Sequence, residues 1–250
     1  MSADDPFVVR ALCYPRPWCA ELEERIRLLE STGVESLAEG GKDIGGLRVV
    51  GKGHSSIVVK ALTSHHGIVA LKVRRLDSKR ASLEWEGRAL EIAGDAGISP
   101  RPFAYSRDFV LMELLPESFV ALDLAIGRLL SKANVEGLRA LLYRTLRAAR
   151  AADAINLEHG ELANASDHVL TDGANVRIID WESSRIGQRG RNVSQLCSYL
   201  LFRLPFSGEV IRLFEIRLEE VLQALREYKS VPNDGGFERL LQALKLLPRR

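Results

Sequence analysis

Apolar residues follow two different spacings along the chain, and the spacing changes near the middle. Short apolar runs separated by glycines and polar residues predict strands at 47–50, 57–61, 69–73 and 109–116. From residue 134 onward the apolar positions recur every three or four residues instead. This pattern predicts a helix over 134–153 and further amphipathic helices over 214–225 and 237–244. A sheet-rich region is therefore expected to precede a mostly helical one.

The first 44 residues have a pattern of their own. Residues 20–29 alternate charged and apolar positions at helical spacing, and Gly33 follows them, so a short amphipathic helix ending near Gly33 is predicted. Residues 34–38 are predicted to form a second short helix. We interpret residues 1–44 as a helical extension that packs on the following region, in preference to a separate binding module.

Composition narrows the class of protein. The chain has 250 residues, 46% of them hydrophobic, which is enough for one or two substantial cores. Its net charge of +2 neither requires nor excludes a nucleic-acid or ribonucleoprotein partner. No apolar run approaches the roughly 18 residues that a membrane span needs, so no membrane association is expected. Cys13, Cys19 and Cys197 lack metal-ligand spacing and no secretory leader precedes them, which predicts a reducing, cytoplasmic location.

A glycine-containing turn separates two of the predicted strands. Gly51 and Gly53 lie on its first side, and Ser55, Ser56 and Val58 lead into the second strand. Glycines allow backbone amides to approach a phosphate chain closely, because no Cβ stands in the way. We expect these five residues to cover the phosphates of a nucleotide, although a glycine hairpin is also a common structural turn.

Lys72 is the one basic residue of the apolar strand at 69–73. A lysine that faces inward needs an acidic partner, and the predicted helix over 78–93 offers Glu84, Glu86 and Glu91. Glu86 lies three residues after one apolar position and four before the next, so it falls on the apolar stripe of the helix. A carboxylate on that stripe is costly unless it is paired. We therefore predict that Glu86 pairs with Lys72.

Two acidic residues follow the long helix in neighbouring loops. Glu161 belongs to a His159-Gly160-Glu161 turn, and Asp180 ends an apolar strand. Turn-forming residues at 171–175 separate two short apolar runs, which predicts a β-hairpin between the two acids. The hairpin would bring Asp180 back near Glu161. We expect His159 to be a structural residue bonded to backbone near Asp180.

The glycine turn, the lysine strand, the helix glutamate, the His-Gly-acidic turn and the strand-ending aspartate occur in the order and spacing of the protein-kinase-like superfamily. The chain resembles its small atypical branches over residues 45 to 200, including the RIO kinases and a group of archaeal predicted serine/threonine kinases. Ile179-Asp180-Trp181-Glu182 is also similar to the aminoglycoside and choline phosphotransferases.

The resemblance implies an α+β, bilobal protein-kinase-like fold. It would comprise the helical extension (1–44), a small antiparallel-sheet N-lobe (45–115) and a shortened, mostly helical C-lobe (116–250). It implies ATP and Mg²⁺ or Mn²⁺ as cofactors. Lys72 would hold the phosphates, Asp180 the metal and Glu161 the acceptor hydroxyl. The adenine would meet Met112, Glu113 and Leu115.

Three features depart from the usual pattern. Most kinases have Asp where this chain has Glu161, which moves the carboxylate by about 1.5 Å, and misplacement on that scale can cost ~10²-fold in rate. The following loop is two residues longer than usual, which leaves the second metal ligand open among Asn164, Asp167 and His168. Arginines 185, 189 and 191 could bind a phosphate or form a solvated loop.

These observations predict an atypical serine/threonine protein kinase whose acceptor is another protein or the enzyme itself. Two alternatives remain at this level. A small-molecule phosphotransferase agrees with Asp180-Trp181-Glu182, but the short C-terminal region leaves little sequence for an acceptor pocket. A nucleotide-binding pseudokinase would retain the same motifs while Glu161 performs no chemistry.

Overall fold

The chain divides into two compact units. The first contains residues 1–91 and 100–115, and the second contains 92–99 and the described residues from 116 onward. The computed structural model describes residues 1–187 and 191–247, so Arg189 lies outside the described residues. Helices and strands are mixed in the chain, and the main sheet is antiparallel. The mixture of helices and strands predicted from the sequence is confirmed.

The first unit is a sheet with helices. Its elements are α1 (Pro6–Leu12), α2 (Leu22–Ser31), β1 (Val34–Ala38), β2 (Lys42–Asp43), β3 (Arg48–Val49), β4 (Gly51–Lys52), β5 (Ser56–Thr63), β6 (Gly67–Arg74), α3 (Glu84–Asp95), β7 (Pro102–Tyr105) and β8 (Phe109–Met112). Residues 92–95 of α3 are counted with the second unit. The main sheet has the order β1-β5-β6-β8-β7, with β4 also paired to β5.

The two faces of this sheet have different environments. Alternate residues of a strand point to opposite faces, and directly paired residues share a face. Ile57, Val59 and Leu71 lie on the face that joins the core formed with Leu12 of α1 and Leu29 of α2. The intervening residues of β5 and β6, among them Lys72, therefore belong to the other face.

The prediction of a helix over residues 34–38 is wrong, because Val34–Ala38 forms strand β1 beside β5. Val34 and Leu37 are both buried, and their separation of three residues is typical of a helix. The strand buries both residues because its register with β5 shifts between Val34 and Ser36. A bulge of that kind adds one residue to the strand and lets both apolar side chains face inward.

The N-terminal cysteines also differ from expectation. Cys13 and Cys19 form a disulfide, whereas the sequence pointed to a reducing location. Cys197 is a free, buried cysteine, and complete burial raises the pKa of its thiol to about 12. It is therefore a protonated, packed side chain at neutral pH.

Helix α3 begins at Glu84, six residues later than predicted. The Leu83 amide donates a hydrogen bond to the Arg107 carbonyl at 2.9 Å. The residue just before α3 is therefore bonded to the connection between β7 and β8 and is not helical. Gly87 allows the helix to approach the sheet, because a Cβ at this position would lie 2.2 Å from the ring of Tyr105. Tyr105 also donates its hydroxyl to Glu91 at 3.0 Å.

The second unit is mostly helical. Its elements are β9 (Val120–Ala121), α4 (Leu122–Ser131), α5 (Val135–Ala154), β10 (Leu157–Glu158), a 3-10 turn (Leu162–Asn164), α6 (Ala165–His168), β11 (Val169–Thr171), β12 (Val176–Ile178), a second 3-10 turn (Trp181–Ser183), β13 (Arg185–Ile186), α7 (Arg191–Ser198), a π-helical turn (Tyr199–Arg203), α8 (Ser207–Leu213), α9 (Leu218–Ser230) and α10 (Asp234–Ala243).

Helix α5 is the central element of this unit, and its prediction is confirmed. Asn134 caps it by accepting the Gly137 amide at 2.8 Å, and Leu138, Leu142 and Leu146 on one face are buried. The predicted hairpin is formed by β11 and β12. The two C-terminal helices also form, except that Phe214 ends α8 and is not part of α9. No helix in the described residues has the length and apolarity needed to cross a membrane.

Candidate functional site

Strand register gathers several of the predicted nucleotide-binding residues on one face of the first unit's sheet. Gly51 pairs with Val58, Val58 with Lys72, and Lys72 with Val110. Because paired residues share a face, these four lie in one row across four strands. Two residues along the same strands, Ala70 pairs with Met112. The neighbouring row on the same face therefore contains a small residue, Ala70, and a flexible apolar one, Met112.

Lys72 and Glu86 form a buried ion pair. The Lys72 Nζ donates to the Glu86 Oε1 at 2.6 Å, and the two residues are 5% and 2% exposed. Helix α3 places the carboxylate on its buried side, since Leu90 and Ala93, four and seven residues after Glu86, are also buried. The predicted partner of Lys72 is thus the one found, whereas Glu84 is exposed.

The glycine turn is a tight hairpin between β4 and β5. Gly53 donates its amide to the Ser56 carbonyl at 2.8 Å, and Ser55 and Ser56 are buried. Arg75, the residue after β6, fixes the turn, because its guanidinium donates to the Gly53 carbonyl at 3.0 Å and its amide donates to the Ser55 carbonyl at 2.8 Å. The turn is therefore held next to the strand that carries Lys72.

Met112, Glu113 and Leu115 lie at the end of β8 and are all partly buried. The Glu113 amide donates a hydrogen bond to the Arg101 carbonyl at 2.8 Å, so this N–H already has a partner in the first unit. The carboxylate of Glu113 accepts the Arg101 amide at 3.3 Å. Any adenine contact from Glu113 would therefore use its carbonyl.

His159 is the centre of the candidate site in the second unit. Its Nδ1 accepts the Glu161 amide at 3.3 Å, and its Nε2 lies 2.9 Å from the Ile179 carbonyl. An amide only donates and a carbonyl only accepts, so Nε2 carries the proton of a neutral ring. Burial lowers the pKa of His159 to about 4. The expectation of a structural histidine bonded to backbone near Asp180 is confirmed.

The depressed pKa of His159 predicts a loss of stability in acid. The unfolded chain gains the proton near pH 6.5 and the folded chain only near pH 4, so this contribution is complete above pH 6.5 and is lost as the pH falls to 4. We expect it to amount to about 3 kcal/mol. Urea unfolding of wild type and His159→Gln at several pH values checks this, because the variant should lose that part of the pH dependence. Equal dependence in the two proteins would contradict the assignment.

Gly160 permits the close packing of the His-Gly-Glu turn. Its φ is +91°, and a Cβ would lie 2.9 Å from the Ser183 carbonyl oxygen. Gly173 is a matched control, since its φ is +92° and a Cβ there would meet nothing within 4 Å. We expect Gly173→Ala to cost about 1–2 kcal/mol from backbone strain alone and Gly160→Ala to cost about 1–3 kcal/mol more. Chemical denaturation of the two variants measures the difference, and equal losses would contradict a steric role for Gly160.

Glu161 is held by two side chains. Its Oε1 accepts the Ser183 hydroxyl at 2.8 Å, and its Oε2 lies 3.3 Å from the Nε2 of His168. The side chain is 39% exposed. Each carboxylate oxygen has two lone pairs, so either one can still accept a hydrogen bond from a substrate.

Asp180 occupies an uncommon backbone conformation. Its φ of +66° and ψ of +61° are left-handed, a region that Asp tolerates better than most residues. Trp181 fixes the next position, because its fully buried ring donates through Nε1 to the Ser99 hydroxyl at 3.1 Å and to the Ile178 carbonyl at 3.0 Å. A carboxylate oxygen of Asp180 and one of Glu182 lie within 4.8 Å of each other. Such oxygens are the ligands that Mg²⁺ prefers.

The three candidates for a second metal ligand differ in their surroundings. The buried His168 is already bound to Glu161. Asn164 accepts the Arg203 guanidinium at 3.2 Å and is exposed, as is Asp167. His168 therefore contacts the acidic turn through Nε2, whereas Asn164 and Asp167 are exposed to solvent.

A buried polar network supports the His-Gly-Glu turn, and sequence reasoning missed it. Asp153 accepts the side-chain amide of Asn192 at 2.8 Å and the hydroxyl of Tyr228 at 2.9 Å, and Asn192 in turn accepts the His159 amide at 2.9 Å. Burial raises the pKa of Asp153 and that of Tyr228. Asp153 falls on the apolar stripe of α5, and that signal was available in the sequence, as it was for Glu86.

The predicted site residues therefore form two sets. The first unit brings together the glycine turn, Lys72, Glu86 and Met112, and the second brings together the His-Gly-Glu turn and the hairpin that ends at Asp180. Comparison of the chain with protein-family models found no match, and a search of curated proteins found none either.

Proposed function

We propose that the chain is an ATP-dependent phosphotransferase of the protein-kinase-like superfamily, acting on serine or threonine of a protein or of itself. The observation that carries the proposal is the buried Lys72–Glu86 pair in register with the glycine turn. A buried ion pair gives little net stability compared with apolar residues of similar size. Its presence on the sheet face next to a glycine turn is better explained by a role for the lysine in holding phosphates.

Each residue has a distinct role in the proposed reaction. The Lys72 ammonium, oriented by Glu86, binds phosphate oxygens of ATP. Glu161 accepts a hydrogen bond from the acceptor hydroxyl and takes its proton as the hydroxyl oxygen attacks the γ-phosphorus. The bond between the γ-phosphorus and the bridging oxygen breaks, and ADP leaves. Positioning and electrostatic stabilisation supply most of the catalysis in transfers of this kind.

The carboxylates of Asp180 and Glu182 suit a divalent cation, since two oxygen donors lie close together in one turn. Mg²⁺ or Mn²⁺ held there would neutralise charge on the phosphates. The left-handed backbone at Asp180 and the buried Trp181 fix the stretch of backbone that carries the first carboxylate. We assign Asp180 as the principal ligand.

A pseudokinase is the second candidate, and the surroundings of Glu161 favour it. Both carboxylate oxygens of Glu161 already have side-chain partners, which is also what a purely structural glutamate would have. A scaffold of this kind would bind ATP without transferring phosphate. Binding stabilises the fold in both cases, so it does not separate the enzyme from the scaffold.

Transfer of label from γ-labelled ATP tests the proposal. Wild type is incubated with Mg²⁺ or Mn²⁺, alone and with an added Ser/Thr-containing protein, beside Glu161→Gln. Glu209→Gln is the matched control, because Glu209 is exposed on α8. We expect labelled protein from wild type and the control, and about 10²-fold less from Glu161→Gln, the scale of losing a general base. ATP binding without transfer would identify a scaffold, and turnover only with an added metabolite would identify a small-molecule phosphotransferase.

A further inference from the structure

A second polar site lies in the first unit, and it meets the glycine turn assigned to ATP only at Lys52, which lies between Gly51 and Gly53. It is a surface pocket of about 520 Å³, formed by the end of α1, the residues just after it, the turn between β2 and β3, and Lys52 of β4. Its volume is within the range of pockets that hold small ligands. The proposed phosphotransferase chemistry uses none of the side chains that line it.

The pocket is basic. Arg10, Arg16 and Lys52 line it, and its lining includes no acidic residue. Within residues 1–187 and 191–247, none of these three side chains takes part in an ion pair with a carboxylate. Lys52 interacts electrostatically with Asp77, which already pairs with Arg75, so three positive charges face the same volume with only this shared carboxylate beside them.

Two of the cations are held in position by neutral groups. Arg10 donates to the carbonyl of Gly46 at 2.9 Å and to that of Gly45 at 2.7 Å, which fixes the guanidinium without neutralising it. The Lys52 Nζ lies 5.5 Å from the centroid of the Tyr14 ring. A cation over an aromatic face keeps its charge and loses freedom. Part of the ordering cost of binding is thereby met in the free protein.

The wall that carries Arg16 is also constrained. The Cys13–Cys19 disulfide closes the loop that contains Tyr14 and Arg16. The Arg16 amide donates a hydrogen bond to the Cys13 carbonyl at 2.9 Å, and the Tyr14 carbonyl accepts one from the Leu76 amide at 2.9 Å. Arg75, which also lies over Tyr14, is neutralised by Asp77 at 2.7 Å. Arg75 therefore adds little net charge beside the pocket.

We propose that this pocket binds a small polyanion that carries two or more phosphate groups. Guanidinium groups match phosphate oxygens with paired hydrogen bonds, and a lysine adds a compact charge. Three cations suit a di- or triphosphate chain better than a single carboxylate. The chain can belong to free polyphosphate or to a nucleotide, because the chemistry recognised is the same.

Calorimetric titration of the full chain with inorganic tripolyphosphate tests the site. Arg16 is exposed, so Arg16→Ala and Arg16→Glu should fold normally, and Arg27→Ala on the exposed side of α2 is the matched control. We expect Arg16→Ala to weaken binding about tenfold, the size of one charge-assisted hydrogen bond. Arg16→Glu should weaken it further, and Arg27→Ala should leave it unchanged.

Two additional titrations separate this site from the proposed nucleotide site. The double variant Lys72→Met with Glu86→Leu removes the cation assigned to ATP, and it should bind tripolyphosphate as wild type does at the basic pocket. ADP replaces tripolyphosphate in a parallel series, and an effect of Arg16→Ala on ADP would identify a nucleotide as the source of the phosphates. Equal affinity of wild type and Arg16→Ala for tripolyphosphate, or equally tight binding of citrate, would overturn the proposal.

Discussion

Replacing Lys72 by alanine is expected to lower the free energy of unfolding by about 3–5 kcal/mol, because it leaves the carboxylate of Glu86 charged and buried without its cation. Glu86 is 2% exposed and its Oε1 lies 2.6 Å from the Lys72 Nζ, so solvent screens the pair poorly. Urea denaturation of wild type and Lys72→Ala measures the loss. A change below about 1 kcal/mol, which is usual for exposed pairs, would contradict it.

The double variant Lys72→Met with Glu86→Leu separates stability from function. It replaces both charges by apolar groups of similar size, so most of the stability lost in Lys72→Ala should return. Label transfer from ATP should nevertheless remain at least ~10²-fold below wild type, the scale of losing a charge contact in the transition state. If the double variant transfers label normally, Lys72 has only a structural role.

Asparagine in place of Asp180 is expected to lower label transfer by at least ~10²-fold while leaving the fold intact. Asn tolerates a left-handed backbone as Asp does, so the φ of +66° adds no strain to the variant. The substitution removes the charge that would hold the metal and keeps the size of the side chain. Rates of label transfer at several Mg²⁺ concentrations measure the effect.

Asp95→Asn is the control for this experiment, since Asp95 is an exposed carboxylate at the end of α3. We expect it to transfer label at the wild-type rate. Asp180→Asn should also unfold at the same urea concentration as wild type to within about 1 kcal/mol, the usual range of changes outside the core. Normal transfer by Asp180→Asn would remove the metal-binding assignment.

The pairing of Lys72 with Glu86 could be predicted from sequence because helical geometry left one glutamate on an apolar stripe. The same rule applied to α5 points to Asp153, whose position four residues after a buried alanine is equally unfavourable without partners. Helical geometry does not reveal which residues pair with Asp153. Asn192 and Tyr228 come from helices far along the chain, and no local pattern links them to Asp153.

Two features were outside the reach of periodicity. The spacing of Val34 and Leu37 is helical, and only the pairing of β1 with β5 reveals the irregularity that makes it a strand. The basic pocket likewise joins Arg10 of α1, Arg16 of the following loop and Lys52 of β4, and charge counting along the chain does not reveal their convergence. In both cases the deciding contact lies between residues distant in sequence.

We propose that the chain binds ATP with Lys72 as the ligand of its phosphates and Asp180 as the ligand of its metal. Calorimetric titration with ATP in Mg²⁺ tests it most directly, using wild type, the Lys72→Met, Glu86→Leu double variant and Asp180→Asn. We predict one ATP per chain at a site weakened at least about tenfold in both altered proteins, the scale of one lost charge contact. Absence of ATP binding by wild type, or binding that one of the two changes leaves unaltered, would contradict the claim.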